Sequence, residues 1–271
     1  MKPYLSVCAI YRDEAQYLAE WVEFHRQVGV EKFFLYDNAS QDEHLAVLAP
    51  HLDDGTVVIH DAGSAPGRGG LQKEMYRRCL ADYREASRWI AFLDVDEFLF
   101  SPTGEVLPEV LSDYEAFPGV GVNRSWFGSS GHRTKPPGLV IENYIHMMDR
   151  RGNSSVKSIV DPTRTVDCVN PHQFIYADGL AVDENKDEID GVFSRTYTFA
   201  RLRVNHYYTK SEEECRERKQ ARLKQNPAFK EARPAGDEHR HYNQVADETI
   251  LRYVPALRAA MKSRAEQPKV R

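Results

Sequence analysis

Four short apolar runs, separated by helical stretches, open the chain, and the fourth runs straight into three acids. The runs are residues 5–11 (LSVCAIY), 32–36 (KFFLY), 56–60 (TVVIH) and 89–93 (WIAFL), the last followed by Asp94-Val95-Asp96-Glu97. Runs of this length without polar alternation suit strands covered on both faces. Between the first two, Leu18, Trp21, Val22, His25 and Val28 recur at helical spacing, and Gly29 supplies the stop. Residues 71–84 read as a helix with Met75, Cys79 and Leu80 inward. Strand and helix in alternation predict an α/β fold, an open and mostly parallel sheet with helices on both faces.

The termini of these elements carry their own signals. Asp13 with Gln16, and Ser40 with Glu43, have capping-box spacing, the second helix ending near Pro50. Further on, residues 120–124, 156–160 and 197–204 read as strands and 140–148 as a short helix. Ser211 with Glu214 caps a charged helix through about Lys224, and residues 242–261 read as the terminal helix. The expected organisation is a core over 1–210 and a C-terminal helical extension over 211–271.

Charge and composition exclude some classes. A net charge of −5 is too acidic for a general nucleic-acid binder. From residue 212 onward, 14 Lys and Arg face 10 Asp and Glu, so a basic tail follows an acidic body. That asymmetry suits a peripheral contact with an anionic membrane surface, although a solvated helix face is commoner. Four dispersed cysteines without a CxxC pair read as small core residues in a reducing compartment. No signal-like segment opens the chain, and no apolar run approaches the ~20 residues that span a bilayer. The expected location is cytoplasmic, with peripheral contact at the inner face of a membrane.

Ligands of parallel sheets bind outside the carboxyl ends of the strands. Three strands here end beside acids: Asp13 and Glu14, then Asp37, then Asp94 and Asp96. On an ideal strand Asp94 and Asp96 share a face, and their oxygens suit Mg²⁺ or Mn²⁺ bound to a diphosphate. An isolated DxD motif is more often a helix cap; its place after three strand–helix units shifts the weight to a metal site. Tyr11, Glu14 and Asp37 stand at the tips of the first two strands, where a nucleoside would rest. The loop at 63–70 lacks the GxxxxGK[ST] pattern, yet Arg68, Gln72 and Lys73 near the next helix start are available to phosphates. His206 ends a late strand and is the candidate third metal ligand, with Lys210 toward phosphate. His172 competes with it.

Residues 10–14, Trp21-Val22-Glu23-Phe24-His25, Phe34-Leu35-Tyr36-Asp37-Asn38, Gln72, residues 89–98 (WIAFLDVDEF), Phe127-Gly128-Ser129-Ser130-Gly131 and Asn205-His206-Tyr207 with Lys210-Ser211 together resemble glycosyltransferase family 92 and its family-2-like bacterial relatives. The resemblance covers about residues 5–214. It implies a GT-A fold, a divalent metal and a nucleotide-sugar donor, with a nucleotide-binding half at about 1–100 and an acceptor half at about 101–210. Characterised eukaryotic relatives use UDP-galactose and invert the anomeric centre, which favours a UDP-sugar donor and a glycan or lipid-linked acceptor. The chain departs from the family in having Asp13-Glu14 where relatives show Asn-Glu, and in lacking their membrane anchor and stem. An inverting transferase needs a general base. Glu142, following the FGSSG turn, is the first candidate and Asp161 the alternative; a retaining enzyme would need neither.

Rival readings are weaker. A haloacid-dehalogenase-type phosphatase carries its DxD near the first strand, not after three. A nucleotidyltransferase would show a Gly-rich basic loop at residues 12–16. A non-catalytic nucleotide- or carbohydrate-binding module stands as the third alternative.

Overall fold

The computed structural model describes residues 2–63, 68–149, 155–225 and 241–265. The first half delivers the alternation: β1 (Leu5–Tyr11), α1 (Ala15–Gln27), β2 (Lys32–Asp37), α2 (His44–Asp53), β3 (Val57–Asp61), α3 (Arg68–Tyr83) and β4 (Trp89–Phe92). β1, β2, β3 and β4 are mutually parallel, in the spatial order β4-β1-β2-β3. The chain therefore walks outward from β1 to β3, then returns to the other side of β1. That reversal leaves a crevice between the carboxyl ends of β1 and β4, where ligands of such sheets bind.

Side-chain alternation sorts the strands into two cores. Leu5, Val7, Ala9, Phe33, Leu35, Trp89 and Ala91 point to the face covered by α1 and α2. Cys8, Phe34, Tyr36, Ile90 and Phe92 point to the other, against Leu71, Met75, Tyr76 and Cys79 of α3. Both faces are apolar because both are covered. None of the four cysteines forms a disulfide, and all are buried.

The second half comprises β5 (Glu97–Phe100), α4 (Leu107–Ser112), β6 (Gly119–Val122), β7 (Arg124–Trp126), α5 (Val140–Asn143), β8 (His146–Met147), β9 (Lys157–Val160), the hairpin β10 (Thr165–Asn170) and β11 (Gln173–Tyr176), β12 (Ala181–Val182), β13 (Glu188–Ile189), β14 (Arg203–His206), α6 (Glu212–Gln225), β15 (Val245–Ala246) and α7 (Val254–Ala265). The main sheet reads β13-β12-β6-β9-β4-β1-β2-β3, with β9 antiparallel to β4 and β6. A smaller sheet, β5-β14-β7, continues from the turn after β4.

Several local expectations yield to tertiary contacts. Asp13 does not cap α1: its φ is +54° and Glu14 is the first cap residue, without a side-chain bond. Asp42 from the next loop accepts the Ala15 N–H at 2.7 Å instead. Ser40 likewise caps no helix; its hydroxyl accepts the Asp13 N–H at 3.0 Å, and α2 begins at His44 and runs through Pro50. The strand expected over 197–204 is confined to Arg203–His206, and the span 140–148 splits into α5 and β8. The terminal helix begins only after β15 and a 3-10 turn (Thr249–Tyr253). The Ser211–Glu214 box does form: Glu214 Oε2 accepts the Ser211 N–H at 3.1 Å and Ser211 Oγ accepts the Glu214 N–H at 3.2 Å. Gly29 also stops α1 as expected, at φ +104°, and a Cβ there would lie 2.4 Å from the Pro108 ring.

Candidate functional site

Residues 94–96 form a turn, not a strand end, closed by the Glu97 N–H on the Asp94 carbonyl at 3.0 Å. Strand alternation therefore does not apply, and the two aspartates have different partners. Asp94 accepts Lys157 Nζ at 2.8 Å and Gln72 Nε2 at 2.6 Å. Asp96 Oδ1 lies 3.5 Å from His206 Nε2, and its Oδ2 lies 3.7 Å from Arg218 Nη1. Burial alone would raise the Asp96 carboxyl, but His206, Lys210 and Arg218 outweigh it and hold it well below the usual carboxylate range.

Under the turn lies a fully buried ionic hub. Glu97, with no exposed surface, accepts Lys157 Nζ at 2.9 Å, Arg124 Nη1 at 3.1 Å and the Asp94 N–H at 3.0 Å. Burial opposes ionisation of Glu97, yet Lys157, His206 and Arg124 keep its pKa low. Helix α1 fixes the same strand from the other side: Trp21 Nε1 donates to the Glu97 carbonyl at 2.8 Å. The turn is thus held rigidly before any ligand arrives.

At the tips of β1 and β2, Tyr11 and Asp37 pair in register. Asp37 Oδ1 accepts the Ser40 N–H at 3.0 Å and Oδ2 lies 3.7 Å from His44. Glu14 Oε2 stands 3.8 Å from Lys210 Nζ, which also lies 3.6 Å from the centre of the Tyr17 ring. Asp13, Ala39, Ser130 and Lys210 all take left-handed backbone conformations, in the loops after β1, β2, β7 and β14. Such conformations cost on the order of 1 kcal/mol each and gather at ligand sites. Tyr11 Oη, Asn38 Oδ1 and His206 Nδ1 are buried without a hydrogen-bond partner among the described residues.

The remaining expected residues have other partners or fall outside the described residues. Near Lys73, Arg77 of the same helix binds Asp167 of β10 at 2.6 Å and holds that carboxyl below its ordinary value, with Lys73 the weakest contributor. The Arg68 side chain and residues 64–67 fall outside the described residues. His172 donates from Nδ1 to the Val156 carbonyl at 2.9 Å and lines a cavity of about 200 Å³ beside the β10–β11 hairpin, to which neither Asp94 nor Asp96 contributes. Burial, then Lys157 and Arg124, lowers its pKa to about 3. Asp161 sits at the opposite end of β4 from Asp94, accepting Arg88 Nη1 at 2.7 Å. Glu142 pairs with Arg258 of α7. Its helix is tied to the crevice from below: Glu20 of α1 accepts the Val140 and Ile141 N–H groups at 2.8 and 3.1 Å. Burial raises the Glu20 pKa to about 7, against those bonds and the nearby Lys210 and Lys135.

Two cations of the basic tail, Arg218 and Arg264, are half-buried against acids of the body, while Arg258 pairs with an acid but stays exposed. Arg218 faces Asp96, Arg258 faces Glu142, and Arg264 binds Glu23 at 3.0 Å and Asp54 at 2.8 Å. Arg216 and Lys224 remain exposed, and residues 269–271 lie outside the described region. Among the described residues no helix is long and apolar enough to cross a membrane.

Glu97, Lys157 and Arg124 had no assigned role in the sequence, and Arg218 was read only as part of the basic tail. A lysine opening a buried strand and an arginine ending another were the available signals.

The model of glycosyltransferase family 92 matches residues 3–233. The chain belongs to glycosyltransferase family 92. A family 92 protein of rice, Oryza sativa subsp. japonica, is 31% identical over 185 residues, covering 65% of this chain and 30% of the relative. A galactan β-1,4-galactosyltransferase of Arabidopsis thaliana is 31% identical over 108 residues, covering 38% of this chain and 21% of the relative. The chain thus spans less than a third of the length of either relative. Among solved structures, S. aureus TarS 1-349 in complex with UDP-GlcNAc aligns over 59% of this chain and 45% of that one, at 12% identity and TM-score 0.40. A mycobacterial protein aligns over 90% of this chain and 84% of its own, at 16% identity and TM-score 0.38. These likenesses are slight, and the sheet order itself defines the architecture of the family 92 chain.

Proposed function

We propose that this family 92 chain transfers a sugar from a nucleotide-sugar donor, a UDP-sugar, to a hydroxyl of a glycan or lipid-linked acceptor. The observation that carries the reading is the crevice between β1 and β4, where Asp96 faces His206 and Arg218 and Lys210 faces Glu14, with Asp37 at the neighbouring tip of β2. Asp37 and Glu14 offer acceptors to ribose hydroxyls and base N–H groups. Lys210 and Arg218 supply cationic donors for the two phosphates.

Asp96 and His206 fit as two ligands of one divalent ion, Mn²⁺ or Mg²⁺. Their facing atoms are 3.5 Å apart, and phosphate oxygens and water can fill the other positions. The described residues contain no group of three metal-binding side chains, so the donor itself completes the set. When bound, the ion neutralises charge on the leaving diphosphate. Asp94, committed to Lys157 and Gln72, positions the turn.

In an inverting transfer the acceptor oxygen attacks the anomeric carbon, the bond to the β-phosphate oxygen breaks, and the diphosphate leaves with the electron pair. The acceptor proton passes to a carboxylate. Of the two candidates we assign Glu142, because its helix is anchored to α1 beside Lys210, whereas Asp161 lies at the far end of β4. A peripheral membrane contact would rest on Arg216 and Lys224.

The test is UDP-sugar hydrolysis and transfer with Mn²⁺. Asp96→Ala should lose both, together with metal-dependent UDP binding, at an unchanged melting temperature. Unchanged turnover in that variant sinks the proposal.

A further inference from the structure

Beyond His206, on the side away from β1–β3, stands a cluster of rings that the donor site does not use. Trp126 of β7 lies 4.5 Å from His206, 5.1 Å from Tyr208 and 5.8 Å from Tyr242, measured between ring centres. Tyr208 and Tyr242 are 5.9 Å apart, and Trp126 is nearly parallel to Tyr242 at 17°. All three are partly exposed, whereas the other two tryptophans, Trp21 and Trp89, are fully buried. The Arg218 guanidinium, which faces Asp96, lies 4.6 Å from the Tyr208 ring centre. The small sheet places these elements in order, from β5 at the acidic turn through β14 with His206 to β7 with Trp126.

Tyr242 reaches this wall because its segment is fastened in place. Asn243 accepts the Ser130 N–H at 2.7 Å and donates to Ser129 Oγ at 3.2 Å, and β15 pairs with β8. Gly128 permits the approach: a Cβ there would fall 2.4 Å from Asn243 Oδ1 and 2.5 Å from the Tyr242 carbonyl.

A pyranose has an apolar face of C–H groups and a rim of hydroxyls. An aromatic face attracts polarised C–H bonds, while hydroxyls need charged or polar partners at the edge. Rings flanked by Arg218, His206 and Asp96 meet both needs. We infer that Trp126, Tyr208 and Tyr242 form the acceptor subsite, an aromatic wall on which the terminal neutral pyranose of a glycan stacks with its reacting hydroxyl toward Asp96. The acceptor role rests on the transferase reading above. A nucleobase would also stack on such rings, but the donor nucleoside is assigned to the tips of β1 and β2.

Trp126 is the single tryptophan open to a ligand, so its fluorescence reports on the wall without turnover. The probes are cellobiose, maltose and β-1,4-galactobiose, titrated with and without saturating UDP and Mn²⁺. The expected result is a saturable change with at least one disaccharide, undiminished by UDP. Tyr242→Ala should weaken it at least 10-fold, and Tyr242→Phe should restore it. Competition by UDP would assign the wall to the donor. No response to any disaccharide, or equal affinity in Tyr242→Ala, would also overturn the inference. Saccharide binding that survives beside absent UDP-sugar hydrolysis would instead strike the transferase reading and leave the wall as a carbohydrate site.

Discussion

The Nε2 atom of His25 accepts the backbone N–H of Leu99 at 3.1 Å, while its Nδ1 donates to the Trp21 carbonyl at 2.8 Å. An amide N–H can only donate, so Nε2 is unprotonated and the ring is neutral with its proton on Nδ1. Helix α1 thereby grips β5 just beyond the acidic turn, and Trp21 holds the Glu97 carbonyl beside it.

This bond predicts both a stability loss and an acid sensitivity. His25→Ala leaves the Leu99 N–H unpaired in the core and should cost about 2–4 kcal/mol. Burial lowers the His25 pKa from 6.5 to about 3. The unfolded chain therefore binds the proton more readily, and stability present above pH 6.5 is lost as pH falls toward 3. That loss amounts to about 4 kcal/mol. Urea unfolding across this range should show the slope in the wild type and a reduced slope in the variant.

Lys157→Met should be more damaging than its conservative volume suggests. It leaves Glu97 fully buried with Arg124 as its remaining ion-pair partner, and frees Asp94 from its ammonium. Breaking a buried pair by removing one partner costs about 3–5 kcal/mol. Thermal unfolding decides: a change under 1 kcal/mol would mean that the hub is not holding the turn.

Metal affinity should follow the geometry of Asp96. His206→Ala is expected to weaken Mn²⁺ binding in the presence of UDP by at least 10-fold, with His172→Ala close to wild type. Calorimetric titration of both variants checks it, and the reverse ranking would transfer the ligand role to His172.

Glu142→Gln keeps the shape of α5 but removes its proton acceptor. Transfer should fall by ~10²–10⁴ in kcat while UDP binding persists. Near-normal kcat would return the role to Asp161 or indicate a retaining mechanism.

The sequence by itself determined what depends on neighbours along the chain. Apolar runs at 5–11, 32–36 and 89–93 specify strands, the α1 stripe specifies its buried face, and Ser211 with Glu214 specifies a cap three residues long. The place of the crevice follows too, since parallel strands leave their acids at one end. What the tertiary structure decided is each partnership that closes over a long loop. Asp42 caps α1 from 27 residues away, which no capping spacing can reveal. Asp94 and Asp96 part company because the chain turns between them, and Lys157 and Arg124 reach Glu97 from strands that follow much later. Arg218 and Arg264 looked like surface charge because helical spacing records which residues share a face. Whether that face meets solvent or Asp96 is decided only when the C-terminal segments fold back onto the sheet.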